Sequence, residues 1–256
     1  METVILAGGL GTRIREETEY RPKPMVPIAG KPILWHIMKR YADFHVNNFI
    51  ICAGYKGEVI REYFSNFEVM NSDFTVQLGK QGNINFHDEV PEKDWKVTVA
   101  ETGAETMTGG RVFKVRKYLS GSTFMCTYGD GLSDINFDEL LKFHKSHGKI
   151  ATVSAVRPSS RFGAMEIGDN SEVFSFTEKP QNHEWVNAGF FVFEMKIFDY
   201  LDENAVLEKQ PLENLARDGQ LMAYKHDGFW QPMDTYREMV MLTEMWNSGS
   251  APWSIK

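Results

Sequence analysis

The chain has 256 residues, 42% of them hydrophobic, and a formal net charge of −7 at pH 7. This length allows a sizeable core, either as one α/β domain or as a domain with a small appendage. The acidic balance argues against non-specific binding to nucleic acid or to an anionic membrane, and no stretch approaches the roughly 18 apolar residues of a membrane helix. The start METVILAGG lacks the basic region and cleavage site of a secretory signal. We therefore expect a cytoplasmic protein that binds neither nucleic acid nor a membrane.

Hydrophobic periodicity predicts strands and helices in alternation from residue 3 to residue 156. The predicted strands are 3–7 (TVILA), 48–53, 123–129 and 150–156, and the predicted helices are 32–44, 56–67, 109–119 and 137–148. Alternation of this kind is typical of a doubly wound, mostly parallel α/β sheet with helices on both faces.

Two regions interrupt or follow this alternation. Residues 72–100 read as short strands, a small β excursion whose placement the pattern does not fix. After further strand-like runs over 163–194, two short helical patterns precede a C-terminal helix that begins near Asp234. Its stretch MVMLTEMW (239–246) is typical of a core or subunit-contact helix.

Two cysteines and two histidines have ordinary structural explanations. Cys52 and Cys126 lie in apolar strand-like runs, which indicates buried free thiols. His144 and His147 stand three apart on a predicted helix. They could form a metal pair, but without further ligands nearby a solvated helix end is favoured.

The first predicted strand ends in a glycine loop, Gly8, Gly9 and Gly11, followed by Thr12 and Arg13. Bare backbone N–H groups beside a guanidinium suit an anion, most often a phosphate, although a tight turn without a ligand remains the alternative. The loop is not a dinucleotide fingerprint, because Ile14 stands where the third glycine would fall. Nor does the Lys-Ser/Thr of a P-loop follow it.

Three charged residues elsewhere could complete such a site. Lys23 is stiffened between Pro22 and Pro24, Asp130 follows a predicted strand between two glycines, and Asp234 opens the last helix. Each has a simpler explanation: a solvated lysine, a turn aspartate and a helix N-cap, respectively.

These motifs together resemble the sugar-1-phosphate nucleotidyltransferases over nearly the whole chain. The matching stretches are GGLGTR, PKPMVPIAGKPIL, GDG (129–131), FTEKP (176–180), NAGFFVF (187–193) and QPMDT (231–235). Within the family, LGTRIREET, GKPILWHIMKRY, TMTGGRV and GFWQPMDT are most similar to members that use CTP and glucose 1-phosphate. Mild departures are Ile14, where leucine is common, and Ala188, where a second glycine is usual.

The resemblance implies a nucleotide-diphospho-sugar transferase-like fold in a single domain, 1–256. Its parts are a nucleotide-binding part (1–157), a sugar-phosphate-binding part (158–234) and a C-terminal helix and tail (235–256). It implies transfer of a cytidylyl group from CTP to glucose 1-phosphate, giving CDP-glucose and pyrophosphate, with Mg²⁺ as cofactor. It also implies a homo-oligomer, such as a hexamer.

The same resemblance assigns roles to residues, and the meeting of two anions explains why cations are needed. Arg13 and Lys23 would hold the triphosphate, Lys179 the sugar phosphate and Glu178 the sugar hydroxyls, while Asp130 and Asp234 would bind Mg²⁺. Arg111 could donate to the cytosine carbonyl or to phosphate, or could be a surface arginine at a helix start. The other implied substrate-binding residues are Leu6, Ala7, Gly8, Gly9, Leu10, Gly11, Thr12, Thr106, Thr108, Gly129, Asn187 and Gly189.

Other functions remain open at this point. The enzyme could use UTP or dTTP, or another sugar 1-phosphate. A glycosyltransferase could share the nucleotide-binding sheet and an aspartate for metal, but it would release a nucleoside diphosphate. A non-catalytic sugar-nucleotide sensor would bind without turnover.

Overall fold

The computed structural model describes residues 1–9, 11, 15–79, 83–158, 163–178 and 184–254. Its strands, in chain order, are β1 (Glu2–Leu6), β2 (Pro27–Ile28), β3 (Lys31–Pro32), β4 (Asn48–Ala53), β5 (Phe74–Val76), β6 (Ile84–Phe86), β7 (Lys96–Glu101), β8 (Thr123–Tyr128), β9 (Gly131–Ser133), β10 (Ala151–Val156), β11 (Ala164–Ile167), β12 (Val173–Thr177), β13 (Val186–Glu194), β14 (Leu221–Lys225) and β15 (Trp230–Pro232).

The helices cover most of the predicted helical segments. They are α1 (Arg15–Thr18), α2 (Ile33–Ala42), α3 (Gly57–Ser65), α4 (Phe67–Asn71), α5 (Thr108–Lys114), α6 (Phe137–His147), α7 (Gln210–Arg217) and α8 (Tyr236–Asn247). Short 3₁₀ turns occupy Lys23–Met25, Arg116–Tyr118 and Met195–Tyr200. No helix in the described ranges is long and apolar enough to cross a membrane.

Among the described residues, seven strands form the main sheet in the order β14–β10–β13–β8–β1–β4–β7. All neighbours are parallel except β13, which runs antiparallel to both β8 and β10. The predicted mostly parallel α/β sheet is therefore confirmed. From β1 the chain first adds β4 and β7 on one side and then crosses to β8 on the other. The crevice beyond the ends of β1 and β8 is thus the place where such sheets bind ligands.

The apolar core lies on both faces of this sheet. Along β1, Ile5 packs into one cluster with helix α2, whereas Val4 and Leu6 pack into the other with α5 and α7. Because successive strand residues point to opposite faces, a strand covered on both sides has to be apolar throughout. This explains why TVILA shows no polar alternation.

Several segments differ from the sequence-based expectation. The run at residues 95–101 is not part of the β excursion, since β7 joins the main sheet beside β4, and only β5 and β6 form a separate hairpin. Strands β9, β14 and β15 were not predicted. They are short and only partly apolar, and each depends on a partner distant in sequence: β9 pairs with β15, and β14 pairs with β10.

Helix α6 illustrates how local signals set the helix and how tertiary packing then changes the interpretation of its side chains. Asn136 caps its start through Glu139 N–H, and it ends at Gly148, whose φ of 64° suits glycine. The expectation of a solvated end is wrong for His144. That side chain is buried, with Nδ1 2.8 Å from Thr152 Oγ1 and Nε2 3.2 Å from Glu194 Oε1, because α6 packs on β10.

The two thiols behave as predicted. Cys52 and Cys126 are free and buried in β4 and β8. Burial raises the pKa of Cys52 to about 12, so this sulfur is a neutral core group.

A buried histidine joins helix α2 to the C-terminal segment. His36 Nε2 lies 2.9 Å from the carbonyl oxygen of Ile28, and its Nδ1 accepts from Trp253 Nε1–H at 3.5 Å. This arrangement suits the neutral ring, in which one nitrogen donates and the other accepts. Burial, with a smaller contribution from Lys31, lowers the pKa of His36 to about 4.

We predict that His36 makes folding sensitive to mild acid. The pKa of His36 in the folded protein is below the unfolded value of about 6.5. The contribution of the neutral ring to the free energy of unfolding is therefore fully present above pH 6.5 and falls as the pH drops toward 4. Between pH 7 and pH 4.5 the free energy of unfolding should fall by about 2 to 3 kcal/mol from this group. Urea denaturation at both pH values measures it. In His36→Gln the free energy of unfolding should decrease by about 2 to 3 kcal/mol less over this pH range. An equal decrease in both proteins would assign the pH dependence to other groups.

Candidate active site

The glycine loop and Asp130 meet at the carboxyl ends of β1 and β8. Gly129 N–H donates to the carbonyl oxygen of Leu6 at 3.0 Å, which fixes the start of one loop against the other. Leu6, Ala7 and Gly129 are buried, whereas Gly9 is exposed. The structure therefore brings these backbone segments together at one edge of the crevice, with Gly9 as their solvent-facing member.

A lysine and two aspartates converge beside this loop. Lys23 Nζ lies 2.6 Å from Asp130 Oδ2 and 2.6 Å from Asp234 Oδ1, joining residues 107 and 211 positions apart in sequence. The lysine side chain is only 10% exposed, so the alternative of a solvated lysine is wrong. Burial acts to lower the pKa of Lys23, but its attraction to Asp130 and Asp234 and its hydrogen bonds to them outweigh burial and raise it.

Asp234 is not the N-cap of the last helix. Thr235 is the cap: its Oγ1 accepts from Glu238 N–H at 3.3 Å, and Glu238 Oε2 accepts from Thr235 N–H at 2.8 Å. The same Glu238 oxygen accepts from Asp234 N–H at 2.7 Å. This capping box leaves the Asp234 carboxylate directed at Lys23 instead of at the helix.

Arg111 is buried, so the alternative of a surface arginine is wrong. Its Nη1 donates to Ala53 O at 3.3 Å and to Thr102 Oγ1 at 2.6 Å, and its Nη2 donates to Gly8 O at 2.9 Å and to Ala104 O at 3.2 Å. Burial lowers the pKa of this guanidinium, although the group stays charged.

The two threonines of the TMTGG segment also have protein partners. Thr106 Oγ1 donates to Thr102 O at 2.5 Å, and Thr108 Oγ1 donates to Glu208 Oε2 at 2.6 Å. Glu208 also accepts from Tyr128 OH, through Oε1 at 2.5 Å. Sequence reasoning missed Tyr128 and Glu208. The position of Tyr128 at the end of a strand, two residues before Asp130, was a usable signal, but nothing near Glu208 suggested a role.

Asn187 and Gly189 lie at the start of β13, which returns to the same edge because it runs antiparallel. Asn187 Nδ2 donates to Tyr128 OH at 3.3 Å, and its Oδ1 accepts from Gly189 N–H at 2.7 Å. Gly189 has a φ of 81°, and a Cβ there would overlap the ring of Tyr128. Glycine is therefore required at 189 by both backbone and packing.

The remaining predicted residues are less informative. Gly11 has a φ of 61°, and its carbonyl accepts from Thr18 Oγ1 at 3.1 Å. Glu178 is exposed at the end of β12. Leu10, Thr12, Arg13 and Lys179 lie outside the described residues. Across the ranges that the structure describes, no three acidic, histidine or cysteine side chains gather as a metal cluster.

A doubly wound sheet with a glycine loop at its strand ends is typical of nucleotide-binding proteins. Sequence comparison identifies the family. The nucleotidyl transferase family profile matches residues 2–235, so the chain belongs to the nucleotidyl transferase family.

Individual relatives are similar over their full length. The chain is 48% identical over 256 residues to a glucose-1-phosphate cytidylyltransferase of Salmonella typhi, covering 99% of this chain and 98% of the relative. It is 44% identical over 257 residues to a probable glucose-1-phosphate cytidylyltransferase of Bacillus subtilis, covering all of both chains. Among solved structures, HddC from Yersinia pseudotuberculosis complexed with GMP-PN has a TM-score of 0.67 and 25% identity, covering 96% of this chain and 99% of that one.

We predict that Glu238 stabilises the start of α8 and with it the position of Asp234. Glu238→Ala removes the acceptor for two backbone N–H groups and should lower the free energy of unfolding by about 1 kcal/mol or more. Chemical denaturation measures this loss. Glu244→Ala, an exposed position of the same helix, should change it by less than about 0.5 kcal/mol. Equal effects of the two variants would contradict the role of the capping box.

Proposed function

We propose that this protein is a glucose-1-phosphate cytidylyltransferase that makes CDP-glucose and pyrophosphate from CTP and glucose 1-phosphate. The observation that carries the proposal is the convergence of Lys23, Asp130 and Asp234 beside the glycine loop. A buried cation between two carboxylates provides both elements that a polyphosphate reaction needs, a positive group for the phosphates and acidic oxygens for a metal. The names of the full-length relatives support the choice of CTP and glucose 1-phosphate.

In this reaction a phosphate oxygen of glucose 1-phosphate attacks the α-phosphorus of CTP. The bond from that phosphorus to the oxygen bridging it to the β-phosphate breaks, and this oxygen leaves with pyrophosphate. A phosphate monoester is largely dianionic near neutral pH, so the attacking oxygen needs no general base. The protein then has two tasks, in-line positioning and neutralisation of charge.

The residues divide these tasks between the two substrates. Lys23 and Arg13 hold the triphosphate and stabilise the leaving pyrophosphate, while Lys179 holds the sugar phosphate. Glu178 accepts hydrogen bonds from the sugar hydroxyls, and the side-chain amide of Asn187 donates to them. The backbone of residues 6–9 and the segment from Thr106 to Arg111 are proposed to surround the base. Positive groups gathered at this crevice would let an acidic chain bind two anions.

The described residues fit a Mg²⁺ ion held by Asp130 and Asp234. Both carboxylates already contact one cation, Lys23 Nζ, so they converge closely enough to share an ion. Magnesium commonly takes one or two carboxylates and completes its shell with phosphate oxygens and water. The ion would neutralise charge on the triphosphate. With the ion bound, Lys23 would exchange its contacts with the carboxylates for contacts with the phosphates.

The proposal extends to the setting of the enzyme. We place it in the cytoplasm as a homo-oligomer, such as a hexamer, on the strength of the family resemblance. Within one domain, residues 1–157 are proposed to bind the nucleotide and residues 158–234 the sugar phosphate. Residues 235–256 form the C-terminal helix and tail.

A substrate panel tests the proposed activity. With Mg²⁺, pyrophosphate release should be fastest for CTP paired with glucose 1-phosphate, and mass spectrometry should identify CDP-glucose. Preference for UTP or dTTP would correct the base, and preference for another sugar phosphate would correct the sugar. Release of a nucleoside diphosphate instead of pyrophosphate would indicate a glycosyltransferase, and binding without turnover would indicate a sensor.

We predict that Lys23 competes with the metal in the nucleotide-free enzyme. Lys23→Met removes the ammonium but keeps a side chain of similar length. Without nucleotide it should bind Mn²⁺ at least about tenfold more tightly than the wild type, because the metal no longer has to displace a buried cation. Titration of free Mn²⁺ by electron paramagnetic resonance measures the affinity.

Two sets of variants control this experiment. Lys23→Arg keeps the positive charge and should bind Mn²⁺ as weakly as the wild type. In the Lys23→Met background, Asp130→Asn and Asp234→Asn should each weaken binding again. Equal affinities of Lys23→Met and wild type would rule out the competition, and Mn²⁺ binding indifferent to both aspartates would remove them as ligands.

A further inference from the structure

The buried guanidinium of Arg111 ties together the ends of three neighbouring strands. Its acceptors are Gly8 O after β1, Ala53 O at the end of β4, and Thr102 Oγ1 with Ala104 O after β7. Helix α5 supplies the arginine, which is only 4% exposed. One side chain therefore fixes the glycine loop relative to two strands that lie beside it in the sheet.

The number of N–H donors on the two Nη atoms matches the number of acceptors. The two Nη groups carry four N–H bonds, and four protein oxygens receive them, which satisfies donors that would otherwise be costly to bury. No carboxylate in the described part of the chain lies within ion-pair distance of Arg111. The oxygens that contact the guanidinium are carbonyl and hydroxyl oxygens at the strand ends, and Glu101 attracts it from beyond ion-pair distance. Removal of the guanidinium would take a charged donor away from each of these oxygens.

The same contact explains why residue 8 is glycine. Gly8 does not have a positive φ, so its backbone would accept a side chain. A Cβ at this position, however, would overlap Nη1 and Cζ of Arg111. Gly9 is different, since a Cβ there would meet no described atom within 4 Å. The first glycine thus makes room for the arginine, and the second faces open space.

We propose that Arg111 is a positioning residue: its guanidinium, seated in the space left by Gly8, sets the glycine loop in the conformation that receives the nucleotide. This inference rests on the proposed function only in assigning the loop to CTP. A direct contact of Arg111 with the base is a separate role that the experiment below distinguishes. The internal part of the proposal is that Arg111 holds the backbone at Gly8 in place, and this can be tested in the ligand-free protein.

Amide hydrogen exchange of the ligand-free protein tests the internal part. Tyr55 N–H donates to Gly8 O at 3.2 Å, so its exchange rate reports on the position of that carbonyl. Both Arg111→Ala and Gly8→Ala should speed exchange at Tyr55 by about tenfold or more, the effect of losing a hydrogen bond to a charged group. Gly9→Ala adds the same methyl toward open space and should leave this rate unchanged.

A double-mutant cycle identifies the contact itself. In the Arg111→Ala background the methyl of Gly8→Ala has no guanidinium to displace, so the double variant should exchange no faster than Arg111→Ala alone. Additive effects would overturn the pairing of Gly8 with Arg111, and unchanged exchange in the single variants would overturn positioning altogether. If Arg111→Ala does not fold, Arg111→Lys, which keeps a donor, should show an intermediate rate.

Steady-state kinetics connect the contact to function. Arg111→Ala and Gly8→Ala should raise the KM for CTP and for UTP by the same factor, at least about tenfold, with a smaller change in the KM for glucose 1-phosphate. A changed CTP-to-UTP ratio with unchanged exchange would make Arg111 a base contact only and would refute positioning. Absence of turnover in the wild type would refute the proposed function and leave the exchange experiment valid.

Discussion

An ammonium group placed between two carboxylates connects the distant parts of this site. Lys23 comes from a short 3₁₀ turn, Asp130 follows β8, and Asp234 immediately precedes the cap of α8. Because Lys23 is largely buried, its charge has to be compensated by partners within the protein. The sheet positions one partner, Asp130, because β8 ends beside β1. The capping box positions the other, Asp234, by fixing its backbone. The final helix is therefore linked to the glycine loop through one lysine.

A second buried cation organises the neighbouring side of the crevice in a different way. Arg111 uses neutral oxygens, which belong to the ends of parallel strands and to the loops that follow them. A planar group with several fixed donors suits this task better than a flexible ammonium does. The two cations thus have distinct surroundings: Lys23 lies between acidic partners that a metal could take over, whereas the oxygens that contact Arg111 are carbonyl and hydroxyl groups of the protein.

Three local interpretations differ from the structure, one of them the N-cap that was the alternative for Asp234. Asp234 looked like an N-cap because the helix starts nearby, but Thr235 with Glu238 fits the capping box better, and the sequence TYRE contains that signal. His144 looked solvated because it stands on a charged helix, but only the contact of α6 with β10 decides that this face is covered. Strand β7 looked like part of a local excursion because its parallel partner, β4, lies more than forty residues earlier. The cap could therefore have been read from the local sequence, whereas the burial of His144 and the pairing of β7 depend on contacts with distant segments.

The sequence by itself determined the strand–helix alternation, the buried thiols, the glycine loop after the first strand and the family. These features are local in the chain, or they are ordered motifs whose residue types follow from backbone geometry and charge. Only the tertiary structure decided that Lys23 lies between Asp130 and Asp234, that Gly8 makes room for Arg111, and that Glu208 joins Thr108 to Tyr128. Such pairings depend on which strand ends become neighbours and in what register. A single sequence does not encode that in any local pattern, because it results from packing the whole sheet at once.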